Sequence, residues 1–286
     1  MNYRESIQLS KQRGLSIVEL LVALVISMLL LTGVVQVFFS SKQTYASNEA
    51  ASRLQENGRF ALEFIAQSAR HAGYVEAANS MADTPSPIAA PGNAICIDSN
   101  TCSSDGDSNA QTLAARSDGI SFALQPRIQN GARRDCIGAS GSGASAINDT
   151  DIIINRFVII DANPNNGELH PSLGCHSRNL RGSWVTGAAP QRLIDGIDAL
   201  EVQYGISTTN DKSSVNQYVS ATRVTQLGKW NEVLAIRIAV LANSIDPVDP
   251  PAPARQYVLL DAEPISFDDG KARQVFTTTF KLRNTF

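Results

Sequence analysis

Three residues near the start of the chain have the types and spacing to do chemistry together. Gly14 closes a short basic leader, Leu15 opens an apolar run, and Glu19 is the only charged residue between positions 17 and 41. A cut after Gly14 would discard Arg4, Lys11 and Arg13 with Glu5 and keep the apolar run as the new N-terminus. An ordinary secretory signal has a shorter apolar region, with its cleavage site behind it. Here the site lies in front. Glu19 poses the matching problem, because a carboxylate inside a membrane helix costs about 2.5–3.5 kcal/mol and needs a partner. The N-terminal amine of a neighbouring subunit would neutralise it and set the axial register of a helix bundle. The blander reading is a carboxylate tolerated near the membrane surface.

The second group is Cys96, Cys102, Cys136 and Cys175, all beyond the apolar run. An even count in an exported region favours disulfides, and no CxxC pair exists to suggest a redox or zinc site. Three connectivities are open. We expect Cys96–Cys102 and Cys136–Cys175, because the first pair closes one short loop.

Other constellations are weaker. Asp161, Asn163 and Asn165 begin like a calcium loop, but Asn166 and Ser172 stand where an EF-hand needs glycine and glutamate. A turn with side-chain hydrogen bonds fits better. Asp98, Asp105 and Asp107 read as a solvated acidic loop, and His170 and His176 flank a cysteine expected in a disulfide. No GxSxG, HExxH, P-loop or GxGxxG pattern occurs. We therefore expect no enzyme, no metal and no cofactor. The net charge is -3, and Arg133-Arg134 is a small basic patch, so no nucleic-acid partner is expected. Trp184 and Trp230 read as core residues.

These residues need elements to hold them. Residues 15–39 form 25 predominantly apolar positions. As a helix they span roughly 37 Å, enough for a hydrocarbon layer about 30 Å thick. The basic leader places the N-terminus in the cytoplasm and the rest in the periplasm. No proline occurs from 15 to 84, and apolar or small residues recur at Ala46, Ala50, Leu54, Ala61, Ile65 and Ala69. The helix therefore continues to about residue 72, its stripe broken near Asn57–Gly58, with Gly73 as a stop. The expected divisions are a leader at 1–14, a membrane half at 15–39, an exported half at 40–75 and a β-rich domain at 76–286. Strands are expected at 118–124 and 151–160, and where apolar residues alternate at Leu200–Ile206, Leu234–Val240 and Phe276–Leu282. Leu200–Ile206 and Leu234–Val240 read as half-exposed. The result is an α+β fold, an antiparallel sheet laid against the outer half of the long helix.

Gly14, Leu15, Glu19 and the basic leader together resemble the signal of type IV prepilins and type II secretion pseudopilins. That family usually has phenylalanine where this chain has Leu15. The resemblance implies a prepilin peptidase that cuts after Gly14 and methylates the amine of Leu15. Residues 54–64 and 69–74, LIDGIDALEVQYG at 193–205, WNEVLAIRIAVL at 230–241 and VFTTTFKLRN at 275–284 look like PilW-type minor pilins. The family implies a pilin-like fold and a structural minor subunit that primes type IV pilus assembly near the filament tip. Implied partners are the major pilin, other minor pilins and an adhesin-like tip protein. The implied location is the inner membrane, then the pilus at the cell surface. Two alternatives stay open: a J-type pseudopilin of type II secretion, and a pilin whose loops bind a ligand for adhesion or DNA uptake.

Overall fold

A computed structural model describes residues 16–76, 86–92, 95–98, 101–209 and 214–284. The chain divides into two compact units, Met1–Ser47 and Asn48–Phe286. One helix, α1 (Ile17–His71), runs through both. Its residues in the first unit are exposed along the whole described length. Leucine, valine and isoleucine dominate there, and among the described residues α1 alone is long and apolar enough to cross a membrane.

Within the second unit, α1 buries Leu54, Gly58, Ala61, Ile65 and Ala69, the three-and-four spacing of one helix face. Asn57 and Gly58 do not break this stripe. Asn57 donates Nδ2–H to the carbonyl of Asp195 at 3.1 Å. Gly58 receives the Phe276 ring, and a Cβ there would overlap ring carbons. The helix ends at His71, and Gly73 adopts a left-handed φ of 73° while donating N–H to Ala123 at 2.8 Å.

After α1 come α2 (Leu113–Arg116), β1 (Ile120–Leu124), β2 (Ile128–Gln129), β3 (Ala132–Arg133), β4 (Ile153–Ile160), β5 (Ser172–Asn179) and β6 (Gln191–Asp195). Then follow β7 (Ile197–Ile206), β8 (Gln217–Val219), α3 (Ala221–Leu227), β9 (Val233–Asn243), β10 (Arg255–Tyr257), β11 (Ile265–Phe267) and β12 (Arg273–Lys281). Two four-stranded antiparallel sheets result, ordered β1-β4-β5-β6 and β12-β9-β7-β8. Runs of isoleucine, valine and leucine in β4, β7 and β9 favour the pleated conformation. The α+β class is as expected: a long N-terminal helix followed by antiparallel sheet. The first strand is shorter at its start, because Asp118 and Gly119 are used elsewhere.

The reading of β7 and β9 as half-exposed is corrected. Both are buried on both faces. One face joins the main core with Leu200, Val202, Ile236 and Ile238, while Ala199, Ala239 and Leu241 meet Leu259 and Ile265 on the other. The segment carrying β10 and β11 thus covers the face that alternation had left to solvent. Only Arg237 stays half-buried in the middle of β9, with its guanidinium carbon 3.9 Å from the Tyr218 ring centroid.

Disulfides join Cys96 to Cys102 and Cys136 to Cys175. The second spans 39 residues, worth about 4 kcal/mol by chain entropy. Trp230 lies in the core edge-on to Tyr204, with ring centroids 4.9 Å apart, while Trp184 stacks beside His176.

Candidate functional site

The candidate assembly site is the start of α1. Gly14 and Leu15 lie outside the described residues. Ser16 precedes the helix, with its Oγ accepting from the Val18 N–H at 3.4 Å. Glu19 occupies the first turn, where a carboxylate complements the positive end of the helix dipole. Its side chain is exposed and makes no ion pair or hydrogen bond among the described residues. Around it Ile17, Val18, Leu20, Leu21, Val22 and Leu24 are all more than half exposed. Hydroxyls further along are satisfied by the helix itself: Ser27 Oγ donates to the Ala23 carbonyl at 2.7 Å and Thr32 Oγ1 to Met28 at 2.8 Å. That is how hydroxyls are tolerated in lipid. The segment is an apolar rod with one carboxylate near its end. Chemically it can enter a bilayer, pack against similar rods and accept one cation.

The second unit contains a buried carboxyl pair that alternation missed. Asp118 Oδ1 accepts from the Gly106 N–H at 2.8 Å and Oδ2 from the Val202 N–H at 2.7 Å, tying the loop before α2 to β7. Glu201 hydrogen-bonds to Asp118, and each residue is 6% exposed. Burial is the main cause that pushes Asp118 up to about 7. Burial, then the Asp118 charge, pushes Glu201 up to about 10. The pair shares a proton as acid and carboxylate. Asp105, Arg116, Asp261 and Glu263 line the cavity beside it. Asp105 is no solvated loop residue, for its carboxylate caps α3, accepting from the N–H groups of Ala221 and Thr222, both at 2.7 Å.

The sign of the pH effect follows. Both folded-state values stand above the ordinary carboxyl range of about 4, so the folded chain holds protons that the unfolded chain releases. The stability from this pair is full below pH 4 and is lost as pH rises through 7 towards 10. Thermal unfolding of the full chain in detergent is expected to show a lower midpoint at pH 9 than at pH 6. Glu201→Gln, which keeps a donor to Asp118 but has no proton to lose, should flatten that slope. An equal slope in the variant would refute the shared proton.

A second missed network ties the other sheet. Arg273 donates Nε–H to Asp198 at 2.7 Å and both terminal nitrogens to Asp269 at 2.6 Å. The side chains of Arg273 and Asp198 are 3% and 2% exposed. Asn243 donates to the other oxygen of Asp198 at 2.7 Å. Burial is the largest influence on Asp198 and raises it despite the guanidinium, whereas the hydrogen bonds from Arg273 lower Asp269.

The remaining sequence candidates are not brought together. Asn163 Oδ1 accepts from the Asn165 N–H at 3.2 Å and Gly167 is left-handed, so 163–167 is a side-chain-closed turn. Asp98 pairs with Arg178. The His176 ring bonds the Ala188 carbonyl at 2.8 Å, and Cys175 is in its disulfide. For the carboxyl pair a signal did exist: Ala199, Ala239 and Leu241 put apolar residues on the supposed solvent face, beside Glu201.

Comparison with known families gives two findings. Residues 9–35 match the prokaryotic N-terminal methylation motif, and residues 157–284 match the type IV pilus-assembly protein W family. The second match spans β5 to β12 and contains both Glu201 and the Arg273 network. Neither a curated protein nor a solved structure matches.

Proposed function

We propose that this chain, pilin-type by its methylation motif and its PilW region, is a minor subunit that primes type IV pilus assembly near the filament tip. In this reading a prepilin peptidase cuts after Gly14 and methylates the amine of Leu15. Residues 15–39 then stay in the inner membrane, with the β-rich domain in the periplasm. Glu19 pairs with the methylated amine of an adjoining subunit, and together they withdraw two charges from hydrocarbon. The partners are the major pilin, other minor pilins and an adhesin-like tip protein. The observation that carries this is Glu19 itself, the one carboxylate in the exposed apolar stretch that begins α1.

Affinity purification of the tagged full chain from detergent-solubilised envelopes tests the role, with mass spectrometry of what accompanies it. Recovery of minor pilins and the tip protein is expected. Recovery of secretion pseudopilins alone would replace this reading with the type II secretion one.

A further inference from the structure

Between β9 and β12 the chain makes an excursion, residues 244–272, whose hairpin β10–β11 covers the face of β7 and β9 that carries Ala199, Ala239 and Leu241. The attachment is apolar. Leu259 and Ile265, 0% and 5% exposed, are the buried anchors, and Phe267 stacks on the Arg273 guanidinium. Among the described residues, no hydrogen bond or ion pair joins 255–267 to the sheet beneath. β10 and β11 bond to each other, and the Ala262 N–H donates to the Leu259 carbonyl at 2.8 Å. The Asp269–Arg273 pair holds the excursion at its return to β12. A hairpin held by a few apolar contacts can open without unfolding what it covers.

The tip of this hairpin is acidic. Asp261 and Glu263, both exposed, line one side of a cavity of about 250 Å³, and Asp105, Asp118 and Glu201 line it too. Glu201 stands two residues after Ala199, hence on the same face of β7, and lies opposite Ala239 on β9. Five acids thus face one another where the tip rests. Arg116 of α2 is the one cation in the lining and makes no ion pair among the described residues. On β9 the same face carries Arg237, engaged with the Tyr218 ring 3.9 Å away.

We propose that the β10–β11 hairpin is a lid gated by the charge of the Asp118–Glu201 pair. It is closed over β7 and β9 while the pair is protonated, and its tip lifts by repulsion of Asp261 and Glu263 once the pair is ionised. Burial is the main cause that spreads this ionisation from about 7 at Asp118 to about 10 at Glu201, so the lid is shut below neutral pH and opens above it. Opening is local, because it breaks the contacts of Leu259 and Ile265 and leaves the main core intact. The device is separate from Glu19 and stands whether or not the chain primes pili.

The test is labelling of a thiol placed under the lid, in the full chain in detergent, with a small neutral methanethiosulfonate at matched ionic strength. The four native cysteines are in disulfides and stay silent. Ala199→Cys reports the lid, and Val240→Cys, facing the main core, reports unfolding of the sheet. Each rate is divided by that of the urea-unfolded variant at the same pH, which removes the titration of the thiol itself. From pH 6 to pH 9 the ratio of the Ala199→Cys rate to the Val240→Cys rate is expected to rise at least tenfold. Asp261→Asn with Glu263→Gln, exposed substitutions that leave the buried pair in place, should abolish most of that rise. Leu259→Cys, on the lid itself, serves if Ala199→Cys does not fold. A ratio that stays constant with pH, or one that rises as much without the two lid acids, would overturn the proposal.

Discussion

Glu19→Ala is expected to leave leader removal and membrane insertion intact while lowering recovery of partner pilins roughly a hundredfold. The alanine removes the carboxylate and leaves the neighbour's amine alone in hydrocarbon. An unpaired charge there costs about 2.5–3.5 kcal/mol, and each 1.4 kcal/mol is a factor of ten in affinity. Insertion itself becomes easier, because α1 loses its one charged residue in the apolar stretch. Processing and membrane fractionation, followed on the same samples, separate assembly from biogenesis. Glu19→Asp keeps the charge on a shorter arm and should recover part of the binding. Normal recovery of partners with Glu19→Ala would remove the role assigned to this residue.

The second large effect is expected at Arg273. Arg273→Met fills most of the same volume but leaves Asp198 buried with Asn243 as its remaining side-chain partner. Removing one member of a buried pair costs about 3–5 kcal/mol. The Arg273 guanidinium carbon also lies 3.6 Å from the Phe267 ring centroid, a stacking contact that a thioether only partly replaces. The damage should reach α1, because Arg273 opens β12 and Phe276 three residues later seats against Gly58. Chemical unfolding of the full chain in detergent measures the loss. Adding Asp198→Asn to Arg273→Met should restore a good part of it, since the stranded charge is gone. A loss below about 1 kcal/mol for Arg273→Met would show the network to be peripheral.

How much of this was legible beforehand differs between elements. The apolar rod, the stop at Gly73 and the β12 alternation are local patterns, and each follows from its own residues. The burial of β7 and β9 is not local. It depends on a segment that begins more than ten residues after β9 ends and folds back to place Leu259 and Ile265 over Ala199 and Leu241. A two-residue alternation reports one face per strand and cannot tell whether the other face is later covered. The same blindness hid Glu201, whose surroundings come from the loop before α2. Gly58 misled in the opposite direction. Glycine weakens a helix by propensity, yet here its missing side chain makes room for Phe276, more than 200 residues away in sequence. At the candidate assembly site the residue types alone are informative. Glu19 is informative because so little around it is polar.

The claim beneath all of this is that residues 15–39 persist in the finished protein as a lipid-embedded helix bearing one acid. Intact mass and N-terminal sequencing of the protein purified from membranes address it directly. The expected mature chain begins at Leu15, carries one added methyl group and partitions with detergent. A mature chain that begins beyond residue 39 and stays in the aqueous phase would contradict it.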